Sequence, residues 1–542
     1  MADGDRVGCG RNDPTRRALR LPWELVVAAL LWLGLGSPSS GEPVAAPDAA
    51  ADAVLEPAGG IRAREGPRPI GDGCGDGCTF RTGASENMDL WRQQLPLPTA
   101  TGRRVVVSSV EGANAAIGTL APGDELVLAD GDYRGWVTFG PGTGGAPGRP
   151  VVVRAARAHA AVFRAGGFRF TEAGHVVVRD VAVRGATNAN VFDIGRGAHH
   201  IRISSNRIED SGDASPDGSY KAIFKVETNP WRPDGSRLGI RDAYITIDNN
   251  TVVRPRQVVL GLDHEVRHTL FSHNVVQGPH GMPANAYNTY VIKSGSGADY
   301  RARTSSITYT VYQYNTVAGW GRAQPQAFDE KNSAVLYRGN DFREETLTLR
   351  LSNASTVAGN RIGSLWVGGR AHLVERNLVW TATPWNPSTP PTVALYGDGA
   401  CTTSCTGWLT WAVQDTVFRG NVIVSGGRPG TASHQERTLG SWESASSPAN
   451  LTGNRFEGNR FVRVAPFTLY NDSGSAFTGY ATGTAGVASA EDRYRVLTQA
   501  STWSNNAFWC TTCPGGGQVR GVTGSNGNVL TPMDPLDPPL PG

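Results

Sequence analysis

The sequence predicts an all-β chain wound as a right-handed parallel β-helix, on three observations. From Val105 onward, short β-branched runs such as VVVRAA and HVVVRDVAVRG show strand alternation, and no long helical period interrupts them. A phrase of short strand, Asn, two mostly apolar residues and a turn recurs at Asn206, Asn250, Asn274, Asn315, Asn340, Asn360, Asn377, Asn421 and Asn454. Its gaps include 24, 25, 20 and 17 residues, and longer ones of 44 and 41 read as a skipped beat. A period of about 20–25 residues made of strands without helices is the signature of a β-solenoid, whose rungs bury their apolar faces only by stacking. Asn suits each bend because it tolerates left-handed backbone and its amide can bond to the next rung. Leucine-rich repeats share the period, but their Leu-x-x-Leu-x-Leu signature is absent.

Taken in order, four segments are expected. Arg11, Arg16, Arg17 and Arg20 precede the apolar run Leu25 to Gly36, and small residues follow. That run is shorter than the roughly 20 residues a bilayer span needs, so residues 1–40 read as a secretory signal peptide. The chain is therefore expected to be secreted, extracytoplasmic and free of the membrane after signal removal. Residues 41–102, rich in Ala, Pro, Gly and Asp, read as a low-complexity linker. Residues 103–467 carry the β-helix, and 468–542 a C-terminal cap or extension with a Pro-rich tail. Beyond Cys9, six cysteines fall in the pairs Cys74/Cys78, Cys401/Cys405 and Cys510/Cys513. An exported chain with no suitable flanking His favours disulfides over zinc, with pairing either local or between clusters.

Charge narrows the partners. The 542 residues hold 51 basic and 48 acidic side chains, a net +3, which argues against a nucleic-acid partner. Lysine occurs only at Lys221, Lys225, Lys293 and Lys331, within 111 residues, while the other 47 basic residues are Arg. Arg is always charged, whereas a Lys with a depressed pKa can act as a base, so a chemical role would preserve Lys.

The segment LAPGDELVLADGDYRGWVTFGPGTGGAPGRPVVVRAA, residues 120–156, resembles the start of polysaccharide lyase family six, β-helix enzymes that cleave alginate or dermatan sulfate. HVVVRDVAVRG continues the likeness. FDEKNSAVLYRGNDFREETLTLR, residues 328–350, resembles the family's catalytic segment, where a Lys and a small polar residue lead to G-N-x-F and then T-L-x-L-R. The resemblance spans roughly residues 104–380. It implies Lys331 as Brønsted base, Arg350 as acid-side partner and an acidic, uronate-containing polysaccharide (alginate or a glycosaminoglycan) as substrate. The chemistry is coherent with those residues. β-Elimination removes the C5 proton beside the uronate carboxylate, and the enolate charge that develops must be stabilised. A neutral Lys is a competent base when burial and neighbouring cations depress its pKa, and Arg can bond an oxyanion or leaving oxygen.

Departures from the family sharpen the expectation. Where family members hold calcium with two Glu and an Asn, this chain has Gln324 and Gln326, with Asn288 at the position of the Asn. Two lost carboxylates argue against calcium, because affinity follows ligand charge, so no cofactor is expected. Lys293 in YVIKSG stands where the family often has Arg and is assigned to the substrate carboxylate. The family's R-H-G is here Arg350-Leu351-Ser352, without the His; Trp366 replaces an expected Arg, for which Arg370 could substitute. Asn288, Gln324, Gln326, Lys293 and Arg370 are thus the substrate-binding candidates, and Trp320, Trp366 and Tyr290 could stack on sugars.

Three alternatives stay open. A non-catalytic glycan-binding or surface-structural β-helix would have no need for Lys331 and Arg350 to converge on one groove. A C5-epimerase would use an Asp-Pro-His motif, of which Asp263-His264-Glu265 is an imperfect version. A hydrolase needs paired carboxylates, and adjacent Asp329 and Glu330 on a strand point to opposite faces.

Overall fold

The structure is a computed structural model that describes residues 96–532 apart from 188–189, 213–220, 231–238, 241, 263–265, 279–289, 295–307, 320–326, 343–344, 351, 381–391, 398–412, 426–438, 444–451, 464–500 and 511–525. The signal segment, the linker up to residue 95, the Asp263-His264-Glu265 triplet and every cysteine except Cys510 lie outside the described residues. Among the described residues, no helix is long and apolar enough to cross a membrane.

The chain winds as the right-handed parallel β-helix that its repeat predicts. One rung illustrates the path. The strand His199–Ser204 turns at Asn206 into Arg207–Glu209, the chain then reaches Ala222–Val226, and Asp242–Asp248 starts the next rung directly on His199–Ser204. Repetition builds three faces. The first stacks fourteen strands from Arg104–Val107 to Ser501–Ser504. The second runs from Phe192–Ile194 through Ile292–Ser294, Phe328–Glu330 and Thr346–Leu349 to Leu439–Glu443. The third begins at Ala182–Arg184, and the long strand Ala161–Phe170 joins it to the second, pairing Val162 with Ala182 and Phe168 with Phe192. Beyond residue 467, strands Ser501–Ser504, Ala507–Cys510 and Val529–Pro532 extend the same sheets.

Inside, residues at equal positions in successive rungs lie on one another. Phe168, Phe192 and Phe224 form one stack with centroids 5.5 and 5.3 Å apart, and Phe418, Phe456 and Trp503 another at 4.7 and 4.1 Å. Such offset-stacked pairs add stabilisation beyond the area they bury.

The asparagine beat is a continuous internal ladder. Asn340 Nδ2 donates to Asn360 Oδ1 at 2.8 Å and to Tyr312 O at 2.9 Å, while its backbone N–H donates to the same Asn360 Oδ1 at 2.9 Å. This pattern links Asn206, Asn250, Asn274, Asn315, Asn340, Asn360, Asn377 and Asn421. Three expectations are corrected. The gaps of 44 and 41 residues skip no beat, because Asn206 bonds Asn250, Asn274 bonds Asn315 and Asn377 bonds Asn421 directly. After Asn421 the ladder passes to Asn459, then to Asn506 and Asn528, and not to Asn454. TGNRF and EGNRF repeat five residues apart, and the first opens the strand Asn454–Glu457 while the second makes the turn. Nor does the ladder Asn adopt the left-handed backbone. The residue before it does, as at Ser205, Asn249, His273 and Tyr314 with φ of 57, 55, 54 and 53°. The Asn supplies hydrogen bonds and its predecessor the bend.

One short helix, α1 (Val110–Ile117), was not legible in the strand-like texture. Ser109 caps it by accepting the Gly112 N–H at 3.1 Å, and Val110, Ala113 and Ile117 turn into the core. Asn114 fastens it by donating to Trp136 O and accepting from Thr138 N–H, both at 2.9 Å. An amphipathic helix over the first rungs shields the end of the solenoid.

Candidate active site

On the second face, side chains alternate between core and outside. Ile292, Phe328, Leu347 and Leu365 belong to the core. Their neighbours Lys293, Asp329, Thr348 and Trp366 form an outward row, paired in register across four successive strands. Arg169, Asp193, Lys225 and Gly261 continue that row toward the N-terminus.

Asp329 is the centre of the site. Although outward, its side chain is only 1% exposed, because Lys331 Nζ lies 2.9 Å and Arg350 Nη1 3.8 Å from its Oδ2. Rung stacking brings Arg350 there: the strand Thr346–Leu349 lies on Phe328–Glu330, and the Arg350 N–H donates to Glu330 O at 2.8 Å. Lys293 sits one strand away on the other side, directly in register with Asp329. Burial works to raise the Asp329 pKa, but Lys331 and Arg350 outweigh it and hold the carboxyl below its ordinary range.

Lys293 is the amine with the strongly depressed pKa, pushed down to about 8 by burial and then by the charge of Lys331, against an opposing pull from Asp329. Its Nζ lies 5.2 Å from the centroid of the Tyr290 ring. Burial, reinforced by Asp329, raises the Tyr290 hydroxyl to about 12.

Below the row lies a second carboxylate, as alternation requires. Glu330 points into the core, where its Oε1 accepts from the Ser294 hydroxyl and from the Asn332 N–H at 2.8 Å, and its Oε2 from the Tyr337 hydroxyl at 3.1 Å. Burial raises its pKa while these bonds pull it back. The Lys331 N–H donates to Ser294 Oγ at 2.8 Å. Glu330 thus holds the backbone on both sides of Lys331, directly at Asn332 and through Ser294 at Lys331.

The structure therefore brings Lys331, Arg350 and Lys293 together around Asp329. Trp366 stands two strands from Asp329 in the same row, nearly buried. Arg370 is engaged elsewhere: its Nε donates to Gln414 Oε1 at 2.8 Å and its N–H to Asn353 Oδ1 at 2.9 Å. Asn288, Gln324, Gln326 and Trp320 lie outside the described residues. Sequence reasoning missed the roles of Asp329, Glu330 and Ser294. The signal was present in the run Asp329-Glu330-Lys331-Asn332, which places a carboxylate at an inward position of a strand.

A mannuronic acid-specific polysaccharide family 6 lyase from human gut microbiota superposes with a TM-score of 0.51 at 14% identity, over 80% of this chain and 92% of that one. A polysaccharide lyase of the same family from Pseudopedobacter saltans gives 0.50 at 13% identity, over 76% and 93%. The chain shares its fold with these lyases. No protein-family model matches the sequence. No curated protein matches it either.

Proposed function

We propose that the chain is an exported polysaccharide lyase that cleaves a uronate-containing polymer, alginate or a glycosaminoglycan, by β-elimination without calcium. The convergence of Lys331, Arg350 and Lys293 on the one carboxylate of Asp329 carries this reading. Asp329 offsets one of three positive charges, and the remaining charge suits a substrate carboxylate. The likeness in fold to family 6 lyases supports it, as does the signal-like N-terminal segment.

Lys293 and Arg350 meet the uronate carboxylate and stabilise the enolate that forms as the C5 proton leaves. Lys331 turns its lone pair to C5–H, and Asp329, 2.9 Å from its Nζ, accepts a hydrogen bond from the ammonium that forms. The C5–H electrons become the new double bond between C4 and C5, and the C4–O bond breaks. Arg350 bonds the leaving oxygen, for which the proton taken by Lys331 is available. Glu330 and Ser294 fix the backbone that carries the base.

A non-catalytic glycan-binding reading draws on the same Asp329–Lys331 ion pair, which occupies the amine. Incubation with alginate and with dermatan sulfate, each with calcium and with chelator, separates the two. Unsaturated uronate ends that form despite the chelator support the lyase. Folded protein that binds these polymers and releases no such ends supports the binding module.

A further inference from the structure

We propose that His175, His199 and His200 form a zinc site, a three-imidazole cradle with a fourth position open to solvent. The three lie where the strands Gly174–Arg179 and His199–Ser204 begin side by side on the first face. One nitrogen from each falls in a group whose members all lie within 4.8 Å of one another, and His199 Nδ1 and His200 Nδ1 are 3.0 Å apart. Zinc bound tetrahedrally by imidazoles at about 2.0–2.1 Å places neighbouring ligand nitrogens about 3.4 Å apart, so small ring rotations close the site.

His175 and His200 are tilted by 30° at 4.5 Å, whereas His199 stands at 84° to the first and 90° to the second. His200 is held in place, with Tyr244 on its other side at 4.9 Å. Gly174 leaves the room that His199 fills: a Cβ there would overlap the imidazole, although the Gly174 backbone needs no left-handed conformation. His200 is exposed, which gives an ion access.

The donor set selects the metal. Imidazoles without carboxylates suit zinc and its late first-row neighbours and disfavour calcium and magnesium. Three strand steps of about 4.8 Å separate the rung of His199 and His200 from that of Lys331, and four that of His175, about 14–19 Å along the axis and on another face, so the site is independent of the lyase reading.

The test is zinc titration of chelator-stripped protein against a chromophoric chelator, with circular dichroism to establish folding. One Zn2+ per chain is expected in the wild type. His199→Gln and His200→Gln should each weaken it at least about tenfold, in line with the sensitivity of metal sites to loss of supporting groups. Gly174→Ala keeps all three imidazoles but displaces His199, and should weaken binding as well. His159→Gln should leave it unchanged, since His159 Nε2 is engaged with Ser205 O at 3.0 Å. Absence of stoichiometric binding, or affinity kept within twofold in folded His199→Gln and His200→Gln, overturns the proposal.

Discussion

Lys331 Nζ and Asp329 Oδ2 stand 2.9 Å apart where the strand Phe328–Glu330 ends, with Arg350 Nη1 3.8 Å from the same oxygen. The carboxylate is what permits cations to gather on a nearly buried surface, and it gives the Lys331 amine a fixed acceptor. Removing it should therefore affect stability and chemistry together.

Asp329→Asn leaves the cations unneutralised and should destabilise the protein by about 3 kcal/mol, as breakage of buried ion pairs does. The Asp329 pKa lies below its ordinary 3.8 in the fold, so its stabilisation is complete above that value and lost as pH falls through the folded pKa. Thermal unfolding followed below about pH 4 should accordingly show a shallower acid limb in Asp329→Asn than in wild type.

Lys293 supplies a second pH signature. With its pKa near 8, against 10.5 ordinarily, it loses charge as pH rises through about 8. KM for a uronate polymer should rise above that pH, and Lys293→Arg, which stays charged, should shift the rise to higher pH. Stability moves oppositely: the unfolded chain binds the extra proton between about 8 and 10.5, so the wild type gains stability with pH across that window. Chemical denaturation of wild type and Lys293→Gln at pH 7 and above 10 reads this directly.

Glu330 holds the base without touching substrate. Glu330→Ala should lower kcat about tenfold through misplacement of Lys331, with a smaller effect on KM. Glu330→Gln keeps an acceptor for Asn332 N–H and the Ser294 hydroxyl and should restore most of the rate. Steady-state kinetics of the two variants distinguish positioning from general loss of stability.

The asparagine ladder makes a prediction about the scaffold. In Asn360→Ala the Asn340 N–H and amide lose their acceptor, and Tyr337 O loses a donor at 3.0 Å. Such unsatisfied buried groups should cost about 3 kcal/mol, measured as a fall in the denaturant midpoint.

The fold was legible because the ladder requires one Asn per rung, and eight of the nine positions read from the sequence lie in it. Asn454 misled because the local phrase is the same at Asn459, and only the strand register decides which one turns. Helix α1 escaped because eight residues at the end of a solenoid leave little periodic signal. At the site, spacing alone put Lys331 and Arg350 on neighbouring rungs, and alternation put Asp329 and Glu330 on opposite faces. What spacing could not carry was Asp329 as the shared anion or Ser294 as a link to Glu330, since both depend on register between rungs distant in sequence.

The most direct measurement is release of unsaturated uronate ends, followed by their ultraviolet absorbance, from wild type and from folded Lys331→Ala. A positioned base contributes roughly 10²–10⁴-fold, so the account predicts product from wild type on at least one uronate polymer and a loss of at least about a hundredfold in the variant. Equal rates from the two proteins, or no product from wild type on alginate and glycosaminoglycans alike, would contradict it.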